Sequence, residues 1–93
     1  MAKMILVIED ETAIQNVIRA FLEDAGYTVV LASDGLEGIR QFRARKPDLV
    51  LLDLMLPKID GFDVCRSIRA EGRNTPVIML TAREEENDKV MGL

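Results

Sequence analysis

Asp53 interrupts the apolar run Leu49 Val50 Leu51 Leu52 Asp53 Leu54 Met55 Leu56, and a carboxylate in that place needs a reason. Such a run reads as a strand covered on both faces, as in a parallel sheet, where an unpaired ionised carboxylate carries a desolvation penalty of roughly several kcal/mol. Asp53 is therefore expected at a strand end, facing water, a cation or a reaction. A carboxylate accepting hydrogen bonds from the backbone of the following turn is the other explanation of this run alone. Glu9, Asp10 and Glu11 form a second acidic group directly after the apolar stretch Met4 to Ile8. If both stretches are parallel strands, both acidic groups lie at carboxyl ends, the edge where open α/β sheets place ligands. Like charges converging on one crevice call for a cation, and an oxygen-only carboxylate set suits a hard ion such as Mg²⁺. Asp10 also reads as a helix N-cap, a role compatible with metal binding.

The elements that must position these acids alternate strand and helix, without linkers, repeats or low-complexity stretches. After the first strand, Ile14, Val17, Ile18, Phe21 and Leu22 recur at helical spacing over Thr12 to Leu22, and Gly26 after Ala25 is a stop signal. Thr28 to Leu31 is the second strand. Asp34 with Glu37 resembles a capping box for a helix carrying Leu36, Ile39 and Phe42, which ends before Pro47. Asp48 to Leu54 is the third strand and Pro57 to Gly61 a loop. Gly61, Phe62, Cys65 and Ile68 mark a helix stopping near Gly72, and Val77 to Leu80 is the fourth strand. From Arg83 onward, Glu84, Glu85, Glu86 and Asp88 suggest a helix with negative charge at its favourable end. This order implies an α/β fold, a doubly wound parallel sheet with helices on both faces.

Composition removes several classes of function. A chain of 93 residues, 48% hydrophobic and 30% charged, makes one domain with a modest core. A net charge of −4 argues against a general polyanion-binding surface, so direct nucleic-acid binding is not expected. The single cysteine, Cys65, excludes an internal disulfide and a cysteine-based zinc site, and it reads as a small core residue. With no histidine, His-dependent triads are excluded as well. No apolar stretch approaches membrane-spanning length and the first strand is too short for a signal-peptide core, so a cytoplasmic protein without membrane partners is expected. The first strand is followed by neither a Gly-x-Gly-x-x-Gly turn nor a Walker-type Gly-Lys-Ser/Thr, and the acids at Glu9 to Glu11 would repel a phosphate at that helix start. The site calls for a cation first, with phosphate arriving through it.

In this order, Ile5-Leu6-Val7-Ile8-Glu9-Asp10-Glu11, Asp48 through Pro57, Asp60-Gly61-Phe62 and Pro76-Val77-Ile78-Met79-Leu80-Thr81-Ala82 resemble the receiver domain of bacterial two-component response regulators. The stretch Thr81-Ala82-Arg83-Glu84-Glu85 with Asp88-Lys89-Val90 and Gly92-Leu93 looks most like the subfamily whose receiver precedes a winged-helix DNA-binding domain. The resemblance spans the chain and implies a flavodoxin-like sheet. It implies that Asp53 is the phosphoacceptor, forming an acyl phosphate. It also implies that the side chains of Glu9, Asp10 and Asp53 and the backbone carbonyl of Met55 hold Mg²⁺. Thr81 matches the switch hydroxyl that turns toward the phosphate, although Thr81 and Glu84 also fit a capping box. The implied partners are a histidine kinase and small phosphodonors, with DNA reached only through an effector domain outside this chain.

Receivers continue into a fifth strand with a lysine, then a fifth helix, and neither Lys58 nor Lys89 matches that lysine. Residues 1–93 therefore read as a receiver lacking its last strand-helix unit, with strand order 2-1-3-4. An uncovered fourth strand, or exchange of the terminal helix, would then favour a homodimer. Two other readings stand beside the signalling one. A phosphohydrolase would want a general acid two residues after Asp53, where Met55 stands, so turnover of an external substrate is not expected. A truncated or engineered fragment would act only as a structural or self-association module.

Overall fold

The computed structural model describes residues 2–53, 61–71 and 74–80. The strands are β1 (Met4–Ile8), β2 (Thr28–Ala32), β3 (Leu49–Asp53) and β4 (Val77–Leu80). Between them lie the helices α1 (Thr12–Asp24), α2 (Gly35–Arg45) and α3 (Gly61–Ala70). The sheet runs β2-β1-β3-β4 with every pair parallel, the expected doubly wound architecture and strand order. From β1 the chain steps outward to β2, then returns across β1 to β3. Right-handed connections in these two opposite directions place α1 and α2 on opposite faces. They also leave a switch point between β1 and β3, where the strand order reverses.

The main core lies on the face carrying α2 and α3. Leu6, Ile8, Val30, Ala32, Val50 and Leu52 from the strands meet Phe42 of α2 and Val64 and Ile68 of α3. Cys65 packs against this cluster, consistent with its reading as a small core residue. Because successive strand residues alternate in direction, Ile5, Val7, Leu49 and Leu51 turn to the face carrying α1. Residues 9 and 53 share that parity. Helix α2 approaches β1 so closely at Gly38 that an added Cβ would lie 2.4 Å from Ile8 Cδ1.

Local chemistry sets most of the ends. Helix α1 closes in a Schellman arrangement: the Gly26 N–H donates to Glu23 O at 3.0 Å and the Tyr27 N–H to Leu22 O at 3.0 Å. Gly26 sits at φ +98°, which explains the glycine there. Asp34 caps α2 by accepting from the Glu37 N–H at 2.8 Å. The Glu37 carboxylate pairs with Arg40 at 2.7 Å and accepts from Gln41 at 2.8 Å.

Two expectations need correction. The N-cap of α1 is Glu11, with no side-chain capping bond, and not Asp10, because the first helical residue, Thr12, is one step further on. Asp48 precedes β3 instead of opening it, and its carboxylate accepts from the Met4 N–H at 2.8 Å. Leu54, the loop at 57–60, Gly72, Lys58, Lys89 and the helix expected from Arg83 onward lie outside the described residues.

Candidate metal and phosphoacceptor site

The strand register builds the site. Strands β1 and β3 pair through Ile8 and Leu52, so the next residues, Glu9 and Asp53, are brought side by side at the carboxyl edge of the sheet. On the other side of Asp53 lies Leu80, the last residue of β4. Glu9 and Asp53 are buried, at 3% and 2% exposure, while Asp10 stands in solvent. One carboxylate oxygen from each of Glu9, Asp10 and Asp53 can be chosen so that all three lie within 4.8 Å of one another. Thus Asp53 does occupy a strand end, and the acids at the two strand ends converge. Met55 and Thr81 lie outside the described residues.

The electrostatics of the cluster are strained without a counter-charge. Burial pushes the Glu9 carboxyl from 4.5 up to about 7, against a hydrogen bond from the Glu11 N–H that lowers it. The Asp53 charge and hydrogen bonds with the Asp53 and Asp10 carboxyls raise it further. That Glu11 N–H reaches Glu9 Oε2 at 3.1 Å. A proton held between carboxylates marks a place where a cation could sit instead.

The donor set suits a hard divalent ion. Oxygens on opposite sides of an octahedral Mg²⁺ lie about 4.2 Å apart, twice a bond length of 2.0–2.1 Å, so the spacing here closes on one ion with a small side-chain movement. A buried carboxylate at the mouth of a parallel sheet, with two further acids beside it, can also act as an oxygen nucleophile toward phosphorus once the charge is compensated.

Among the described residues Gln15 also belongs to this region, and sequence reasoning missed it. Its amide nitrogen donates to the Glu9 carbonyl at 2.6 Å. The periodicity of α1 drew attention to apolar positions, yet Val17 and Phe21 are 57% and 73% exposed while Gln15 is buried. A polar residue one position off an apolar row gives no local signal, because its partners come from strand ends elsewhere in the chain.

A family model for the response regulator receiver domain matches residues 5–93. The chain belongs to that family. Among curated relatives, the receiver is 48% identical over all its 93 residues to the alkaline phosphatase synthesis transcriptional regulatory protein PhoP of Bacillus subtilis. It is 41% identical, again over its whole length, to the response regulator MprA of Mycobacterium ulcerans. The receiver spans 39% and 40% of those two proteins. Among solved structures, it matches the receiver domain of a sensor histidine kinase from Pseudomonas aeruginosa with a TM-score of 0.85 and 38% identity. That match covers 97% of this chain and 75% of the other. The Pseudomonas structure has a magnesium ion coordinated in its active site cleft. The N-terminal domain of a response regulator receiver protein from Methanoculleus marisnigri matches with a TM-score of 0.84 and 35% identity, over 98% of this chain and 78% of that one. The receiver is thus a two-component response regulator module of flavodoxin-like fold, with transcriptional regulators among its relatives. No described helix is long and apolar enough to cross a membrane.

Proposed function

We propose that the receiver accepts a phosphoryl group on Asp53, with Mg²⁺ held by the side chains of Glu9, Asp10 and Asp53 and the backbone carbonyl of Met55. The observation that carries this reading is the convergence of three carboxylates within 4.8 Å at the switch point of the sheet. The presence of magnesium in the cleft of the Pseudomonas receiver supports it. When bound, the ion supplies positive charge against both the carboxylates and the oxygens of the transferring phosphoryl group.

The residues do the rest. The β1–β3 pairing holds Asp53 at the strand end, where an oxygen of its carboxylate can attack phosphorus in line. As that O–P bond forms, the bond from phosphorus to the donor breaks, and its electron pair leaves with the imidazole nitrogen of a phosphohistidine or the carboxylate oxygen of acetyl phosphate. Thr81, the residue after Leu80 in sequence, is the one to which we assign the switch hydroxyl that turns toward the new phosphate. The donors are a histidine kinase and small phosphodonors, and the acyl phosphate is a signal, without turnover of an external substrate. We place residues 1–93 in one cytoplasmic receiver unit that reaches DNA only through a separate effector domain, and that can pair with a second copy through β4.

The test is labelling with acetyl phosphate and Mg²⁺. Wild type should acquire one hydroxylamine-sensitive phosphate, and Asp53→Asn, nearly isosteric, should acquire none while keeping its circular dichroism and melting behaviour. Equal labelling of the variant would move the nucleophile elsewhere, and an unlabelled wild type would favour a purely structural module.

A further inference from the structure

Gln15 is the buried residue of α1, at 7% exposure in the first turn of the helix. An amide is costly to bury unless its hydrogen bonds are made, so its surroundings show what it does there. Its nitrogen lies 2.6 Å from the Glu9 carbonyl, 3.3 Å from Ser33 Oγ and 3.4 Å from the Ala32 carbonyl. Carbonyl oxygens only accept, so the NH₂ end must face them, and this fixes the orientation of the amide. The shortest of these bonds goes to the peptide that joins Glu9 to Asp10, two of the three clustered acids. The Ala32 carbonyl also accepts from the Glu9 N–H at 3.0 Å, so one side chain ties together the ends of β1 and β2 and the start of α1.

We propose that Gln15 is a positioning residue for the acidic cluster, locking the Glu9–Asp10 peptide so that both side chains present toward one divalent cation beside Asp53. The proposal rests on the Mg²⁺ reading of that cluster given above. Its physical basis is repulsion: three carboxylates gathered at one edge push the β1–α1 connection outward, and rotation of the Glu9–Asp10 peptide is the easiest way to relieve them. Mg²⁺ demands near-ideal octahedral geometry, so a swing of Asp10 by a fraction of a bond length costs affinity. Groups that orient metal ligands from behind typically account for about 10- to 100-fold in affinity. Because Gln15 holds the backbone of the ligands and not the ligand atoms, about tenfold is expected.

The experiment compares wild type, Gln15→Met, which keeps the volume without the amide, Gln15→Leu as a second replacement, and Val64→Ala. Val64 belongs to the core on the opposite face of the sheet and serves as a control for lost stability. Each protein is titrated with Mg²⁺ alone, following the backbone amide resonances of Asp10 and Glu11, and is melted in EDTA. The Gln15 variants should bind Mg²⁺ about tenfold more weakly, while Val64→Ala melts lower but keeps wild-type affinity. In EDTA the Asp10 amide should exchange faster in the Gln15 variants alone. Wild-type affinity in both Gln15 variants, or an equal loss in Val64→Ala, overturns the positioning role and leaves the metal site standing. A wild type that does not respond to Mg²⁺ overturns the metal site itself, and the positioning role with it.

Discussion

Asp10 differs from Glu9 and Asp53 in standing in water, where it is open to an incoming cation. Replacing it by Asn removes one negative charge without changing shape, so Mg²⁺ binding should weaken severalfold in a direct titration; unchanged affinity would take Asp10 out of the site. Glu9 carries a different signature, because its folded carboxyl sits at about 7 against 4.5 for an ordinary glutamate. Between those values the folded protein holds a proton that the unfolded chain has released. Folding is thus linked to proton uptake, and metal-free stability falls as pH rises from 4.5 to about 7, then levels off. Urea denaturation in EDTA at pH 5 and pH 8 should show a larger drop for wild type than for Glu9→Gln, which has no carboxyl to titrate. Parallel drops would mean that the strain of the cluster is relieved in solution. Of the site residues, Asp53 and the Glu9–Asp10 pair were legible because acids beside apolar runs contradict their surroundings. Gln15 was not, because nothing near it in sequence names its partners.

At the scale of elements, the carboxyl end of β1 is where packing and chemistry meet. Gly38 of α2 lies against Ile8, and Ile8 directly precedes Glu9. Alanine in place of this glycine would gain about 1 kcal/mol of helix propensity, but its Cβ would overlap Ile8, and overpacking costs typically about 1–3 kcal/mol. Gly38→Ala should therefore lower the urea midpoint, and it should weaken Mg²⁺ binding as well if Ile8 moves and carries Glu9 with it. A midpoint at or above that of wild type would show that α2 can lift from β1 freely. Ends governed by short-range rules were readable in advance, as with Gly26 closing α1 and Asp34 opening α2. The start of α1 at Thr12 was readable too, but its cap was assigned to Asp10 and not Glu11, since any of three adjacent acids could stand at that boundary and the first turn of the helix decides which one does.

For the whole molecule, the sheet order leaves β4 paired with β3 alone among the described strands, and Ile78 in it is 49% exposed. Together with exposed Val17 and Phe21 on α1, the described residues present apolar surface and an edge of the described sheet that a second copy would cover. The 93-residue chain should self-associate at tens of micromolar in sedimentation velocity; a persistent monomer with protected amides along Val77 to Leu80 would count against pairing through that edge. By itself, the sequence determined the alternation of strands and helices and the placement of acids at two strand ends, because hydrophobic period, turn residues and caps act over a few positions. Tertiary structure decided which acids became neighbours, since Glu9 meets Asp53 only through the β1–β3 register. It also decided which face of α1 turned inward, burying Gln15 and leaving Val17 and Phe21 outside. The rotation of a helix about its axis is set by the strands it covers and by the polar groups they leave to be satisfied, and neither is written in the helix.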